Sequence, residues 1–205
     1  MLKKTTNKTS PGASGFDWQT IKWAWPVLAT TLMHLFNTCL TLSYHPQAWK
    51  EAIVVVLPKL DRPDYTLLKA HCPISLLECL GKLLEKVVAQ RIQHNLTTYS
   101  LLPTKQFGGW QHSSCLDTRL SLLHNIHNAH CCGLKCGILL FDVEGFFDHI
   151  NHNCLVAMLA KIGFGPHITT WVDSFLQERR VHLRFNETLS VTFRLVCECL
   201  VFDSR

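Results

Sequence analysis

Residues 136–148, CGILLFDVEGFFD, decide how the rest of the chain is read. From Ile138 to Phe141 there is neither a charge nor a turn residue, which is the pattern of a strand buried on both faces, and Asp142 closes it. A carboxylate delivered at the end of a buried strand is placed where a hard cation can reach it. An aspartate capping a strand-to-helix turn gives the same spacing, and on spacing alone that plainer reading leads.

Upstream, Ile53 to Leu57 is a second β-branched and aliphatic run, closed by Pro58, and it reads as a buried strand. The loop LPKLDRPDYTLLKAHCP follows. Ser75 with Glu78 three residues later has the spacing of a capping box, which predicts a helix carrying Leu76, Leu77, Leu80, Leu83, Leu84, Val87 and Val88 on one face, to about Asn95. A further helix is expected near residues 115–130. Downstream, Asn151 is placed to cap a helix that Gly163 ends, and Pro166 to start the next. RVHLRFN and VTFRLVC, joined by ETLS, read as a hairpin. The class is α+β, with helices and strands interspersed rather than strictly alternating.

The 205 residues, 47% of them hydrophobic, are enough for a sizeable core, which excludes disorder as the main character. Twenty Lys and Arg against fifteen Asp and Glu leave a charge of +5, which permits a polyanionic partner without demanding one. Ten cysteines without a secretory leader read as reduced thiols of an intracellular, unsecreted protein. From Trp23 to Trp49 no residue is formally charged, long enough for a membrane span. Yet Thr30, Thr31, His34, Asn37, Thr38 and Thr41 fall on one side, with Leu28, Leu32, Leu35, Cys39 and Leu42 on another. That predicts an amphipathic core helix, with Pro26 near its first turn. His124, His127, His130, Cys131, Cys132 and Cys136, with Cys197 and Cys199 beyond, fit no standard zinc spacing. Surface histidines and reduced cysteines account for them better.

FDVEGFFD resembles motif A of reverse transcriptases. WKEAIVVVLPK, PISLLECLGKLLEKVVAQRI, LLPTKQFGG, LLFDVEGFFDHINH and the final hairpin follow in the order found in non-LTR (LINE-type) retrotransposon polymerases. The resemblance implies a right-hand polymerase: helical and β fingers, then an incomplete palm lacking its catalytic hairpin. Residues 1–16 would be a flexible leading segment, 17–130 the fingers, 131–196 a partial palm and 197–205 a divergent tail.

The resemblance implies that Asp142 binds magnesium and is catalytic, that Lys59 contacts the triphosphate, and that Phe147 is the aromatic gate excluding a ribose 2′ hydroxyl. Its partners would be an RNA template, a DNA primer and deoxynucleotide triphosphates, in the nucleus, with no membrane and no stable protein partner. His149 and His152 follow motif A as the family often has them and are expected to pack or cap. Arg179, Arg180 and Arg184, with His182, form a basic stripe suited to a nucleic-acid backbone. Exposed charges protecting a strand edge would look the same.

The chain also departs from that pattern. Where the family has an aromatic residue and Arg before PISLL, this chain has His71 and Cys72, and a thiol cannot make a bidentate phosphate contact. Trp110 stands at another usual Arg, and Ser14 at a usual Asp. Both losses of Arg are single C-to-T codon steps, as in a decaying element copy. The family's paired aspartates have no counterpart, since no two acidic residues are adjacent anywhere in the sequence. The expectation is a fragment of the polymerase that is inactive alone. The rival expectations are a non-catalytic remnant that binds nucleic acid non-specifically, and a small membrane-associated protein built on residues 23–49. An unpaired apolar edge around Leu139 and Leu140 is expected as an aggregation liability.

Overall fold

The computed structural model describes residues 10–103, 105–109, 113–143, 149–185 and 188–194. Two compact units divide it: residues 1–89 with 145–205, and residues 90–144.

The first unit opens with a docked loop. A Cβ on Gly12 would come within 2.7 Å of Glu78 N, so only glycine allows that approach. Ser14 then donates both its N–H and its hydroxyl to the Glu78 carboxylate. Asp17 caps α1 (Trp18–Thr41) by accepting from Thr20 N and Oγ1 at 2.7 Å each, and these bonds hold its carboxyl below the usual range. Because the cap lies at Asp17, Pro26 sits inside the helix rather than in its first turn.

The buried residues of α1 are Trp18, Ile21, Leu32, Phe36 and Cys39, at helical spacing. Leu32 and Cys39 are buried as the amphipathic pattern predicts, whereas Leu28, Leu35 and Leu42 are exposed. The helix is turned so that Phe36 meets Trp49 edge to face at 6.0 Å. No described helix is long and apolar enough to cross a membrane.

A 3₁₀ turn at Gln47–Trp49 leads into β1 (Glu51–Pro58). β2 (His71–Leu76) pairs antiparallel with it, Ile53 opposite Leu76 and Leu57 opposite Cys72. This overturns the capping box at Ser75. PISL extends as a strand along β1, Glu78 is occupied by Ser14, and α2 (Cys79–Thr98) begins only at Cys79. The apolar stripe survives the shift, since Leu77, Leu83, Leu84 and Val88 are all buried. Gly81 lets α2 approach Trp49, whose Cβ would lie 2.9 Å from a Cβ on residue 81.

α4 (His152–Ile162) starts at the Asn151 cap, with His152 in its first turn, and ends at Gly163, where φ is +106°. α5 (Pro166–Leu176) begins with Pro166, packs on α4 and touches α1. The expected hairpin is β3 (Arg180–Phe185) and β4 (Thr188–Arg194), antiparallel to each other. β3 runs parallel to β1, so the sheet order is β2-β1-β3-β4. Ala52, Val54, Leu77 and Val181 are buried together against one sheet face, each such side chain stabilising by roughly 1.5–3 kcal/mol at full size and less for alanine. The class is α+β, as the sequence implies.

The second unit holds the end of α2 and α3 (Cys115–Cys131). Ser114 and Asp117 cap α3 reciprocally: Ser114 N donates to Asp117 Oδ2 at 2.7 Å and Asp117 N to Ser114 Oγ at 3.4 Å. None of the described α3 residues is buried. After Gly133, at φ +71°, residues 134–143 form neither helix nor strand, which corrects the strand expected up to Phe141. A strand exists only through a neighbour's hydrogen bonds, and no described segment pairs with this one.

Candidate functional site

The β1–β2 pairing builds one group of predicted residues. It sets Pro58 beside His71 and Leu57 beside Cys72, and Lys59 N donates to Ala70 O at 2.8 Å across the mouth of the loop. The half-buried Lys59 donates from Nζ to Lys69 O at 3.1 Å, while Tyr65 OH donates to Lys59 O at 2.9 Å. The loop therefore folds over its own lysine, holding the ammonium beside the strand end that carries the exposed Cys72. Cys72, opposite Leu57 near this strand end, offers no guanidinium fork for a phosphate.

The second group lies on β3. Alternate residues share a sheet face, so Arg180, His182 and Arg184 point the same way. Arg180 and His182 each lie 3.9 Å from the Glu51 carboxylate, and Arg184 is exposed. Thr192 Oγ1 and His182 Nδ1 are 3.3 Å apart across the β3–β4 pair. Arg179 does not belong to this surface. It is 2% exposed, its guanidinium stacks on Phe175 at 4.5 Å and Nη1 donates to Phe175 O at 3.0 Å. The alternation of β3 turns it to the opposite side from Arg180, and Glu178, at φ +56°, makes the turn that sends it inward.

Sequence reading missed the cluster that Arg179 enters. His45 is fully buried, its ring edge-on to Trp49, Trp171 and Phe175 at 5.8, 5.3 and 5.2 Å. Burial, then the charges of Arg179 and Lys50, pull its pKa down to about 3, so the ring is neutral. Both carboxylate oxygens of Glu85 are buried without a hydrogen-bond partner among the described residues, and burial raises that pKa to about 7 against the opposing pull of Arg179 and Lys82. Lys50 is 4% exposed, with Nζ 5.8 Å from the Tyr44 ring centre, and burial lowers its pKa. The four polar side chains come from three separate segments, His45 and Lys50 between α1 and β1, Glu85 on α2 and Arg179 after α5, so no single local spacing signals the cluster. Arg179, on the strand expected to be basic, was the one visible thread.

Asp142 lies in the second unit, exposed, its Oδ1 accepting from Val143 N at 2.9 Å. It does not stand at a strand terminus. Phe147 lies outside the described residues. On α3, His124 Nε2 lies 3.0 Å from Asn128 Nδ2 and His127 Nε2 lies 3.5 Å from Cys131 Sγ. Among the described residues no three His, Cys, Asp or Glu side chains group to hold a metal ion. A pair of hard dications needs several converging oxygen ligands. Among the described residues this segment supplies one exposed carboxylate, already accepting a backbone N–H, and that does not fit the requirement.

The sequence profile of the reverse transcriptase (RNA-dependent DNA polymerase) family matches residues 58–200, which is more than half of the chain, and the chain belongs to that family. It is similar to RNA-directed DNA polymerases of mobile elements. The probable RNA-directed DNA polymerase from transposon BS of Drosophila melanogaster is 29% identical over 93% of this chain and 21% of its own length. The RNA-directed DNA polymerase from mobile element jockey of Drosophila melanogaster is 28% identical over 89% and 20%. The retrovirus-related Pol polyprotein from type-1 retrotransposable element R1 of Bradysia coprophila is 30% identical over 78% and 15%. The chain thus spans about a fifth or less of the length of these curated relatives.

Proposed function

We propose that the chain is a portion of a non-LTR retrotransposon polymerase that copies RNA into DNA from a primer in the nucleus, using deoxynucleotide triphosphates and magnesium. The family match across residues 58–200 carries this reading, because Lys59, Asp142 and the β3 arginines all fall within it. In this reading the four-stranded sheet belongs to the fingers, and of residues 131–196 the segment ending at Asp142 belongs to the palm. Lys59 contacts the triphosphate, Asp142 supplies one of the metal-binding carboxylates, and Phe147 gates against the 2′ hydroxyl. Arg180 and Arg184, without Arg179, lie along a nucleic-acid backbone. The 205 residues themselves perform no nucleotidyl transfer, because one carboxylate cannot hold two dications and a charged substrate.

What this polypeptide retains is salt-sensitive, sequence-independent affinity for nucleic acid through the Arg180 and Arg184 face. Primer extension on an RNA template is expected to give no product above the Asp142→Ala control. Asp142-dependent synthesis would overturn the inactive reading. In a filter-retention series against salt, the Arg180→Ala, Arg184→Ala double variant is expected to flatten the log–log slope by about 2, roughly one per lost phosphate contact. An unchanged slope would remove the β3 face from the interface.

A further inference from the structure

Among the described residues, the hydrogen bonds of the loop between β1 and β2 close within residues 59–71, so the loop's own sequence sets its geometry. The chain reverses through Asp61, at φ +57°. Asp64 Oδ1 then accepts from Thr66 N at 2.8 Å and from Thr66 Oγ1 at 2.7 Å, which fixes a turn at the far end of the loop. That turn carries Tyr65 back to the loop's mouth. Its hydroxyl donates to Lys59 O at 2.9 Å, and its ring meets the His71 ring edge to face at 6.2 Å. One side chain thus touches both the residue that follows β1 and the residue that opens β2.

Lys59 is held at three atoms. Its N donates to Ala70 O at 2.8 Å, its O accepts from Tyr65 OH, and its Nζ donates to Lys69 O at 3.1 Å. Lys69 O is itself fixed, because Lys69 lies in the 3₁₀ turn Leu68–Ala70, whose Ala70 is buried. A lysine has four rotatable side-chain bonds, and ordering them on a ligand costs affinity that a lysine ordered beforehand keeps. The choice of a carbonyl as partner matters too. It takes one of the three ammonium donors and none of the charge, so it orients the group without neutralising it, as a carboxylate would.

We propose that Tyr65 is the positioning residue of Lys59, its hydroxyl pinning the Lys59 carbonyl so that the loop presents an ammonium ordered in advance to the triphosphate. This rests on the reading that Lys59 contacts the triphosphate, and adds the side chain that holds it there. Tyr65 acts only through Lys59.

Amide exchange at Lys59, and calorimetric titration of the full chain with tripolyphosphate at low salt without added metal, test the proposal together. Tyr65→Phe removes the hydroxyl and keeps the ring on His71. It is expected to speed Lys59 exchange and to weaken tripolyphosphate binding, each by about threefold to tenfold, the worth of one hydrogen bond. Lys59→Met is expected to weaken binding by about tenfold or more. Adding Tyr65→Phe to Lys59→Met should then change binding no further, whereas a Tyr65 that merely supported the fold would add its loss in either background. Unchanged Lys59 exchange in Tyr65→Phe, unchanged binding in Tyr65→Phe where Lys59→Met weakens it, or a Tyr65→Phe loss that persists beside Lys59→Met would each overturn the positioning role and leave the Lys59 reading standing. Binding that survives Lys59→Met intact would instead sink the triphosphate role of Lys59 itself, and this proposal with it.

Discussion

Two apolar runs of nearly equal length meet opposite fates in this molecule. Residues 52–56, AIVVV, form the middle of β1, with β2 on one edge and β3 on the other. Residues 137–141, GILLF, form neither helix nor strand, and their aliphatic and aromatic side chains are largely exposed. Composition does not separate them, since both are uncharged and both end near a residue of functional interest. Among the described residues, what separates them is the presence of partners. β1 finds antiparallel and parallel neighbours about twenty and more than a hundred residues away, and those neighbours convert an apolar pattern into a strand by taking up its backbone groups.

The contrast can be broken most forcefully by putting the same charge into each run. Val54 is 7% exposed within the core cluster, and Leu140 is 84% exposed. Val54→Asp is expected to cost more than about 4 kcal/mol, enough to unfold the sheet, because it buries a carboxylate with no counter-ion. Leu140→Asp is expected to change stability by less than about 0.5 kcal/mol and to improve solubility. Urea denaturation followed by tryptophan fluorescence measures both. Comparable losses at the two positions would mean that the second run is packed as the first is.

A smaller effect sharpens the account of how the first unit closes. Gly81 sits where a methyl group would press on Trp49, at 2.9 Å from its Cβ, a side chain that also touches Phe36 and His45. In a free helix Gly→Ala stabilises by about 1 kcal/mol. Here crowding outweighs propensity, and Gly81→Ala is expected to destabilise by about 1–3 kcal/mol in the same denaturation experiment. A stabilised variant would show that α2 is free to move off Trp49.

Much of this was legible in the sequence where the signal is local. The Asn151 cap, Gly163 terminus and Pro166 start each depend on a few adjacent residues and form as read, and the final hairpin forms with its second strand beginning at Thr188, inside the ETLS expected to join the strands. The readings that failed needed distant information. Ser75 and Glu78 have capping-box spacing, but β1 claims the first for a strand and Ser14 claims the second. Arg179 reads as one of a row of surface cations until α5 and the Glu178 turn direct it under Phe175. Among the candidate site residues, the pairing of β1 and β2 explains why Lys59 and Cys72 lie at the same end of the strand pair, a relation that twelve intervening positions hide. The expected strand ending at Asp142 presumed a sheet partner that the described residues do not contain. The family assignment stands instead on the match across residues 58–200.

The buried cluster offers the finest test, because its two titrating members pull stability in opposite directions. His45 is faced by Arg179 and Lys50, and Glu85 by Arg179 and Lys82. The native state keeps His45 neutral down to about pH 3, whereas the unfolded chain takes up that proton near 6.5, so this group removes stability as pH falls through that window. Glu85 keeps its proton in the native state to about pH 7, whereas the unfolded chain releases it near 4.5, so this group removes stability as pH rises through that window. Between 4.5 and 6.5 the two slopes oppose each other. His45→Phe, which preserves an aromatic ring among Trp49, Trp171 and Phe175, should leave the Glu85 slope exposed. Its stability relative to the parent then falls with rising pH by up to about 1.4 kcal/mol per unit. Glu85→Gln should show the reverse, with relative stability rising with pH across the same interval. Denaturant midpoints collected from pH 4.5 to 6.5 decide between these signs. Parallel profiles for the two variants and the parent would mean that neither group changes its proton on unfolding, and that water reaches the cluster which the aromatic rings enclose.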